Sequence, residues 1–393
     1  MISGVTKFRG NLTAIYLTFS GYLLQLSMVF SPKFIITPKL LSLIADIEVS
    51  RQLVVNLPIT AHMLSSLRET ARLITTHHST AIEGNRLSQA EVKEVIAGGG
   101  NFPNREKDEC EVRGYYKALD YVERLASKKG KITESDIRTI HGIAFKGSER
   151  PTPYRNEQNV IREGSKGLVV YIPPKANHVP SLMRDLVNWI NQQVGTLQIP
   201  LIAGLAHYEI ATIHPYFDGN GRTARLLTTL ILHKYGYGLR GIYSLEEYYA
   251  RDLSAYYASL SVGNDEDYYD GNRAKADLTR FLEFFIAGMA DSFAKIRTQA
   301  EKARDLGHTD QSNTLRSLNP QQRQLLRLFF DQMEITAKDV AKYFSLSPRQ
   351  ARNLCKKWTE SYFLEISDPA PKTRKYRLIS KYEKLIQEQI KEK

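Results

Sequence analysis

One twelve-residue segment near the middle of the chain constrains its fold and chemistry more than any other feature. It reads His-Pro-Tyr-Phe-Asp-Gly-Asn-Gly-Arg-Thr-Ala-Arg from His214 to Arg225. Because proline disfavours helical geometry in the residue before it, we expect a helix to end at His214. The glycines of Asp218–Gly221 allow a tight turn, and a new helix is predicted from Arg222 to Tyr235. The segment therefore predicts a short loop held between two helices.

The residue types of this loop suit phosphate chemistry. Unpaired N–H groups and the positive dipole end of the second helix attract anions. Arg222 and Arg225, three residues apart, can hold further phosphate oxygens. Asp218 is a hard oxygen ligand for Mg²⁺, and His214, with an ordinary pKa of about 6.5, can accept a proton at neutral pH. Any one of these residues alone is more often structural, but their combination favours a catalytic site.

The motif resembles the signature of the Fic family, His-x-Phe-x-Asp/Glu-Gly-Asn-Gly-Arg-x-x-Arg. Tyr216 replaces the family's phenylalanine, which is a conservative change of aromatic packing. The resemblance extends roughly from Thr37 to Ala290 and implies transfer of AMP from ATP to a Ser, Thr or Tyr hydroxyl of a target protein. The related Doc branch, which phosphorylates, carries lysine at the position of Gly221.

The resemblance also implies a role for individual residues. His214 would be the general base, and Asp218 would hold Mg²⁺. The ATP phosphates would be bound by the loop and the helix that follows it, at Gly219, Asn220, Gly221, Arg222, Thr223 and Arg225. Arg251 and Tyr257 lie where the family often builds its adenine pocket, although tyrosines at the density found here are more often packing residues.

Residues 160–174 predict a β-hairpin, with strands at Val160–Glu163 and Leu168–Ile172 around a Gly164–Gly167 turn. The hairpin resembles the flap of the Fic family, which docks the target protein. An exposed strand edge can pair with a target segment through main-chain hydrogen bonds. The alternative is a hairpin that only covers the core.

A second motif, Ser-Thr-Ala-Ile-Glu-Gly from Ser79 to Gly84, lies at the end of an upstream helix. Ser79 and Glu83 are four residues apart and are expected on one helix face. The motif resembles the inhibitory helix of Fic proteins, in which the glutamate pairs with the second arginine of the signature, here Arg225. Glu83 would then inhibit productive ATP binding. A role in positioning water for AMP removal stays open.

The C-terminal part, residues 320–393, resembles a winged helix-turn-helix. Ser347 and Pro348 mark the start of a helix whose buried stripe is Ala351, Leu354, Cys355 and Trp358. This helix is the predicted DNA reader, and the residues outside its stripe are Arg349, Arg352, Asn353 and Lys356. Strands are predicted at Phe363–Ile366 and Lys372–Ile379, with the wing at Asp368–Arg374. Phosphate contacts are predicted for Lys372, Arg374, Lys375 and Arg377, although winged helices also bind proteins.

The net charge supports this division of roles. The 393 residues include 54 Lys and Arg against 42 Asp and Glu, a net charge of +12. Residues 311–393 hold 17 Lys and Arg against nine Asp and Glu, so they carry +8 of the total. The hydrophobic fraction of 42% and charged fraction of 24% exclude wholesale disorder and a polytopic membrane protein. Two cysteines cannot form a disulfide scaffold and fit a reducing cytosol, so a cytoplasmic location is expected.

The predicted fold class is mainly α: a Fic-type helical core with a small β-hairpin flap, followed by an α+β winged helix-turn-helix domain. Helical periodicity extends over Leu40–Ile47, Ala61–Ile82, Val112–Leu125, Thr133–Phe145, Ser181–Gln193 and Pro200–Ile213. The predicted regions are an N-terminal extension at 1–31, a helical region at 32–125, the catalytic core at 126–296, a linker or exposed helix end at 297–319, and the C-terminal domain at 320–393.

The extension has no charged residue from Gly10 to Pro32. A start assigned too far upstream of Met28, an unstructured extension and a membrane anchor all stay open, and its polar residues argue against the anchor. The leading prediction is an ATP- and Mg²⁺-dependent protein adenylyltransferase inhibited by Glu83. Two alternative functions stay open: a DNA-binding regulator whose core senses nucleotide or modifies only itself, and a Fic-type enzyme that removes AMP. A homodimeric assembly also stays open.

Overall fold

Amphipathic helices form most of the chain. The computed structural model of the protein describes residues 30–56, 61–163, 168–262, 269–270, 273–305, 317–330, 332–370, 373–383 and 386. The helices up to residue 305 are α1 Pro38–Asn56, α2 Ala61–Ile82, α3 Gln89–Ile96, α4 Glu106–Ala126, α5 Glu134–Lys146, α6 Val179–Gln193, α7 Ile199–Ile213, α8 Asn220–Lys234, α9 Glu246–Arg251, α10 Leu253–Leu260 and α11 Thr279–Asp305. The predicted mainly α fold class is confirmed.

Local sequence sets several of these helix ends. Ser88 begins α3 with a capping box, in which its side chain accepts from the Glu91 N–H. Thr133 begins α5 in the same way through Asp136, and Gly147, in the left-handed region at φ 66°, ends it. Such caps satisfy backbone groups that a helix end otherwise leaves without partners.

Helix α7 lies at the centre of the main hydrophobic core, and nearly all of its residues are buried. Its sequence is apolar on all sides, as expected of a helix surrounded by others. Gly204 allows α11 to approach closely, because a Cβ atom there would lie 2.9 Å from the Phe285 ring. Helix α8 packs beside α7, so the two helices that flank the motif are both fixed by the core.

A two-stranded antiparallel sheet follows α5, with β1 Ile161–Glu163 paired to β2 Leu168–Tyr171. This agrees with the predicted hairpin, whose Gly164–Gly167 turn lies outside the described residues. The Tyr171 hydroxyl donates to the Thr212 carbonyl at 2.7 Å, next to the C-terminal end of α7. The hairpin is thereby anchored beside the first residue of the motif.

The C-terminal part has its own hydrophobic cluster, built around Phe329, Trp358 and Phe363. Its elements are α12 Pro320–Leu325, a 3-10 helix at Leu326–Phe330, β3 Ile335–Thr336, α13 Ala337–Phe344, α14 Pro348–Glu360, β4 Leu364–Asp368 and β5 Lys375–Leu378. The strands form one antiparallel sheet in the order β3-β5-β4. Two strands were expected from the sequence; the third, β3, is only two residues long. The winged-helix interpretation stays a prediction.

Two helices extend beyond the stretches of helical periodicity in the sequence. Helix α1 runs to Asn56, beyond Ile47, and α11 continues to Asp305. The first nine residues of 297–319, predicted as a linker or an exposed helix end, are therefore helical. Residues 1–29 of the predicted extension, 306–316 of the linker and 371–372 of the wing lie outside the described residues. Within the part of the chain that is described, no helix is long and apolar enough to cross a membrane.

Candidate active site

The motif forms the expected loop between two helices. Helix α7 ends at Ile213, and His214 caps it in the left-handed region, at φ 51°. A non-glycine residue in this region stores strain of about 1–3 kcal/mol, and such residues concentrate at functional sites. Gly219, at φ 77°, precedes α8, which begins at Asn220 rather than at the predicted Arg222.

Side chains within the loop hold its shape. The Asn220 side chain accepts from the Tyr216 N–H at 2.9 Å and donates to the Tyr216 carbonyl at 2.8 Å. The Thr223 hydroxyl donates to the Gly219 carbonyl at 2.8 Å. Both side chains, predicted to bind phosphate, are thus used inside the loop. The main-chain N–H groups of Asn220, Gly221 and Arg222 belong to the first helical turn, where no intrahelical acceptor is available.

Three residues that the sequence reasoning missed support the loop from outside. His141 of α5 contacts the Asp218 carbonyl through Nε2 at 2.9 Å and stacks on Tyr216, with ring centroids 3.7 Å apart. The Arg155 Nε donates to the His214 carbonyl at 3.0 Å, and its guanidinium also contacts the Pro174 carbonyl after the hairpin. The Asn159 side chain donates to the Tyr216 carbonyl at 3.1 Å.

The surroundings of His214 set its charge and its tautomer. Burial lowers its pKa to about 4, so the imidazole is uncharged at neutral pH. Its Nδ1 lies 3.3 Å from the Ala211 carbonyl, an acceptor, which favours the tautomer protonated at Nδ1. Nε2 then carries the lone pair that can accept a proton.

Arg222 is buried and incompletely paired. Its Nη2 lies 3.6 Å from Glu111 Oε1 and 3.8 Å from Asp218 Oδ1, and its guanidinium carbon lies 5.6 Å from the centre of the Phe145 ring. Among the described residues, its Nε and Nη1 have no hydrogen-bond partner. Buried guanidinium N–H groups normally have partners, so these atoms are available to bind an anion or water.

Arg225 is held by the second motif, although its Nη1, like that of Arg222, has no hydrogen-bond partner among the described residues. Its Nε donates to Ser79 Oγ at 2.7 Å, and its Nη2 donates to the Ser79 carbonyl at 2.9 Å and to Glu83 Oε1 at 2.8 Å. Burial opposes the charge of Arg225, but Glu83 outweighs this effect and the pKa of the guanidinium is raised. The predicted pairing of Ser79 and Glu83 with Arg225 is present. Glu83 lies one residue beyond the end of α2, not inside the helix.

The Glu83 carboxylate also covers the loop. A Cβ atom placed on Gly221 would collide with Glu83 Oε1 and lie 3.2 Å from Arg225 Nη1. Glu83 therefore occupies the space directly above the backbone of the first turn of α8. A bound anion and this carboxylate compete for the same positive end of the helix.

A polar network joins the segment after Glu83 to Arg222. The Asn85 side chain donates to the Asp108 carbonyl at 2.9 Å and to Glu111 Oε2 at 3.1 Å. Its own Oδ1 accepts from the Leu87 N–H at 3.1 Å. Because the other oxygen of Glu111 faces Arg222, one carboxylate links the segment after Glu83 to the motif. No sequence pattern indicated Glu111, since its partners are far away in the chain.

The two residues named for the adenine pocket differ in position. The Tyr257 hydroxyl donates to the Ile82 carbonyl at 3.2 Å, beside Glu83, so Tyr257 lies at the edge of the site. Arg251 instead pairs with Asp291 at 2.7 Å and faces the Tyr248 ring, and its side chain is 56% exposed. Neither of these partners belongs to the motif, so the structure does not bring Arg251 to the loop. Its role in nucleotide binding stays a prediction without a supporting contact.

Asp218 is the residue predicted to hold Mg²⁺. Its Oδ1 accepts from the Gly219 N–H at 2.6 Å, and its side chain is 51% exposed toward solvent. Among the described residues, no group of three or more His, Cys, Asp or Glu side chains could hold a metal alone. Mg²⁺ is commonly bound by one or two carboxylates together with substrate phosphates and water, so its binding by Asp218 stays a prediction.

Comparison with known proteins agrees with this geometry. Residues 131–232, which include the whole motif, match the Fic/DOC family. The protein adenylyltransferase fic-1 of Caenorhabditis elegans is 31% identical over 226 residues, which cover 55% of this chain and 42% of the relative. The protein adenylyltransferase Fic of Drosophila erecta is 30% identical over 218 residues, with the same coverage. The chain thus spans less than half the length of these curated relatives.

Similarity of fold extends further than similarity of sequence. The crystal structure of a Fic family protein from Desulfovibrio desulfuricans superimposes with a TM-score of 0.55 and 25% identity. The match covers 89% of this chain and 99% of the other. The resemblance to the Fic family drawn from the motif is thereby confirmed, and residues 131–232 carry the Fic/DOC match.

Proposed function

We propose that the protein transfers AMP from ATP to a hydroxyl group of a target protein and of itself. The observation that carries the proposal is the arrangement around one loop. It combines a neutral histidine, the amide groups of a helix start, and a buried arginine whose Nε and Nη1 have no partner among the described residues. The curated relatives named protein adenylyltransferases support the same reaction.

In the proposed step, His214 Nε2 accepts the proton of the target hydroxyl. The hydroxyl oxygen attacks the α-phosphorus of ATP, a new P–O bond forms, and the bond to the β-phosphate oxygen breaks. The products are the AMP ester of the target and pyrophosphate. The bond from Nδ1 to the Ala211 carbonyl fixes the ring so that Nε2 is the basic atom.

The phosphates are proposed to lie on the first turn of α8. The amide groups of Asn220 and Gly221 and the unpaired N–H groups of Arg222 supply hydrogen bonds to them. Asp218 would hold Mg²⁺ against the same phosphates, and the ion, when bound, neutralises part of their charge. Arg225 is proposed to bind the γ-phosphate once Glu83 releases it.

The β1–β2 hairpin is proposed to dock the target protein. Val169 and Ile172 expose 45% and 43% of their surface, although both are apolar. In the described residues the sheet has only two strands, so each strand has an edge that can pair with an extended peptide. The anchoring of Tyr171 to α7 and of Arg155 to the His214 carbonyl would bring such a peptide close to His214.

Glu83 is proposed to inhibit this reaction. An arginine that is bound by Ser79 and Glu83 cannot also bind a γ-phosphate, and the carboxylate above Gly221 repels an incoming phosphate. Wild-type protein should therefore modify itself slowly.

The test is intact-mass measurement of the Glu83→Gly protein after incubation with MgATP. We expect this variant to gain AMP at least tenfold faster than the wild-type protein, because Arg225 and the loop become available.

Glu149→Gly is the matched control, since Glu149 is also a loop carboxylate that pairs with an arginine, Arg124, but lies on the surface. The control should behave as the wild type. Equal rates in Glu83→Gly and wild type would refute the inhibitory role. Absence of AMP from every variant, in the presence of a folded protein, would refute AMP transfer.

A further inference from the structure

Helices α13 and α14 form a helix-turn-helix unit with well-defined caps. The Thr336 side chain begins α13 by accepting from the Asp339 N–H. Ser345, in the left-handed region at φ 53°, ends α13, and Ser347 begins α14 with a capping box through Gln350. The turn therefore spans Ser345 to Ser347, a length typical of helix-turn-helix motifs.

Helix α14 has two sharply different faces. Ala351, Cys355 and Trp358 are at most 2% exposed and pack in the C-terminal hydrophobic cluster. The opposite face is exposed along its length, and its central stripe is Arg349, Arg352, Asn353 and Lys356. These four residues follow a spacing of three and four, so they form one stripe. The buried face fixes the helix, and the exposed face is free to contact a partner.

The cations of this stripe are largely uncompensated. Among the described residues, the Arg349 and Arg352 side chains have no ion-pair or hydrogen-bond partner, and Lys356 is 3.8 Å from Glu360 at the far end of the helix. The basic residues of β5 differ, because Lys375 pairs with Glu334 at 2.9 Å and Arg377 pairs with Glu365 at 2.5 Å. Of the four residues with predicted phosphate contacts, Lys375 and Arg377 are thus paired with carboxylates, and Lys372 lies outside the described residues.

We propose that the exposed face of α14 binds double-stranded DNA. A single helix fits the major groove, and the long side chains of arginine and lysine reach phosphates on its walls. Arg352 and Asn353 are the residue types that read guanine and adenine edges. The concentration of +8 of the chain's +12 net charge in residues 311–393 gives the electrostatic attraction that such binding needs.

The test measures binding of the full-length protein to a fluorescent duplex of about 30 base pairs by anisotropy, at about 50 and 200 mM salt. We expect binding that weakens steeply as salt rises, because Lys and Arg release counterions from the phosphates. If no binding to the duplex is found at either salt concentration, the proposal is wrong and the face is left to a protein partner.

A charge-reversal variant, Arg349→Glu with Arg352→Glu and Lys356→Glu, locates the surface. Its affinity should fall at least tenfold. The slope of log affinity against log salt concentration should decrease in magnitude by about 3. The matched control reverses three exposed cations of the helical region, Arg124→Glu, Lys129→Glu and Arg184→Glu, and should lose less than threefold. An equal loss in both variants would show nonspecific attraction to net charge and would overturn the assignment to α14.

The single variant Asn353→Ala gives a second, independent measurement. It removes no charge, so its average affinity for a pool of random duplexes should change less than threefold. The set of sequences selected from that pool should change if α14 lies in the groove. The proposal would be overturned if Asn353→Ala selected the same sequences as the wild type and the charge-reversal variant still bound DNA. Thermal unfolding checks that each variant is folded.

Discussion

The helical region and the C-terminal part differ in whether their arginines are buried or exposed. Arg222 and Arg225 are each 1% exposed. Arg222 faces the carboxylates of Glu111 and Asp218, and Arg225 is bound by Ser79 and Glu83. Arg349 and Arg352 point to solvent and have no partner among the described residues. A buried guanidinium requires compensation, so its partners determine local geometry. An exposed cation makes little demand on the fold and is available for a separate partner.

The largest expected effect comes from the base at the buried site. In the Glu83→Gly background, His214→Ala should lower the rate of AMP transfer about 10²–10⁴-fold, the usual contribution of a general base. The measurement is the initial rate with labelled ATP at saturation. His178→Ala, at the start of α6, is the control and should keep the rate. A fall of less than tenfold in His214→Ala would contradict its assignment.

Removal of one buried carboxylate tests whether the buried charge of Arg222 requires compensation. Glu111→Gln keeps an oxygen for Asn85 but removes the charge that faces Arg222. We expect a loss of about 1–3 kcal/mol in the free energy of unfolding, measured in urea. ATP should restore part of it, because phosphate supplies the missing negative charge.

The surface carboxylate Glu149, changed to Gln, is the matched control and should cost less than about 0.5 kcal/mol. A Glu111→Gln protein as stable as this control would show that the buried pair contributes nothing.

The pH dependence of the rate of AMP transfer tests whether burial lowers the pKa of His214. With a pKa of about 4, His214 stays neutral as the pH falls to 5.5, so the rate of the Glu83→Gly protein should change less than twofold from pH 7. A histidine with the ordinary pKa would lose about tenfold over that interval. Because the Glu83 charge raises the pKa of His214, the Glu83→Gly substitution should lower this pKa further. The rate should then begin to fall only at a still lower pH. A midpoint near 6.5 would be inconsistent with the buried, neutral imidazole.

The smallest effect is expected at an exposed cation of the helical region. Arg251→Ala removes the surface pair with Asp291, which lies away from the loop. The KM for ATP should therefore change less than twofold. A tenfold rise would instead place Arg251 in the nucleotide site, in agreement with the sequence-based prediction and against the observed contacts.

Local features made the loop predictable. Pro215 and Gly219 are strong signals for a helix end and a turn, so His214, Asp218 and the start of α8 were identified within two residues. The pairing of Glu83 with Arg225 followed from the resemblance, since two residues so far apart in sequence offer no local signal. The resemblance was decisive there because it supplied a tertiary contact.

Contacts that depend on packing between helices were not predictable. His141 and Glu111 reach the loop only because α5 and α4 pack against α8. Arg155 lies in a segment without regular structure, where periodicity gives no information. Strand β3 has two residues, Ile335 and Thr336, and forms by pairing with β5 across the C-terminal part. Such a short strand has no alternating pattern to detect.

The contact between Glu83 and Gly221 ties position 221 to the ion pair with Arg225. Because the carboxylate fills the place of a side chain at position 221, any larger residue there requires the Glu83 side chain to move. The same oxygen of Glu83 accepts from Arg225 Nη2. A substitution at position 221 would therefore disturb the ion pair without changing either of its partners.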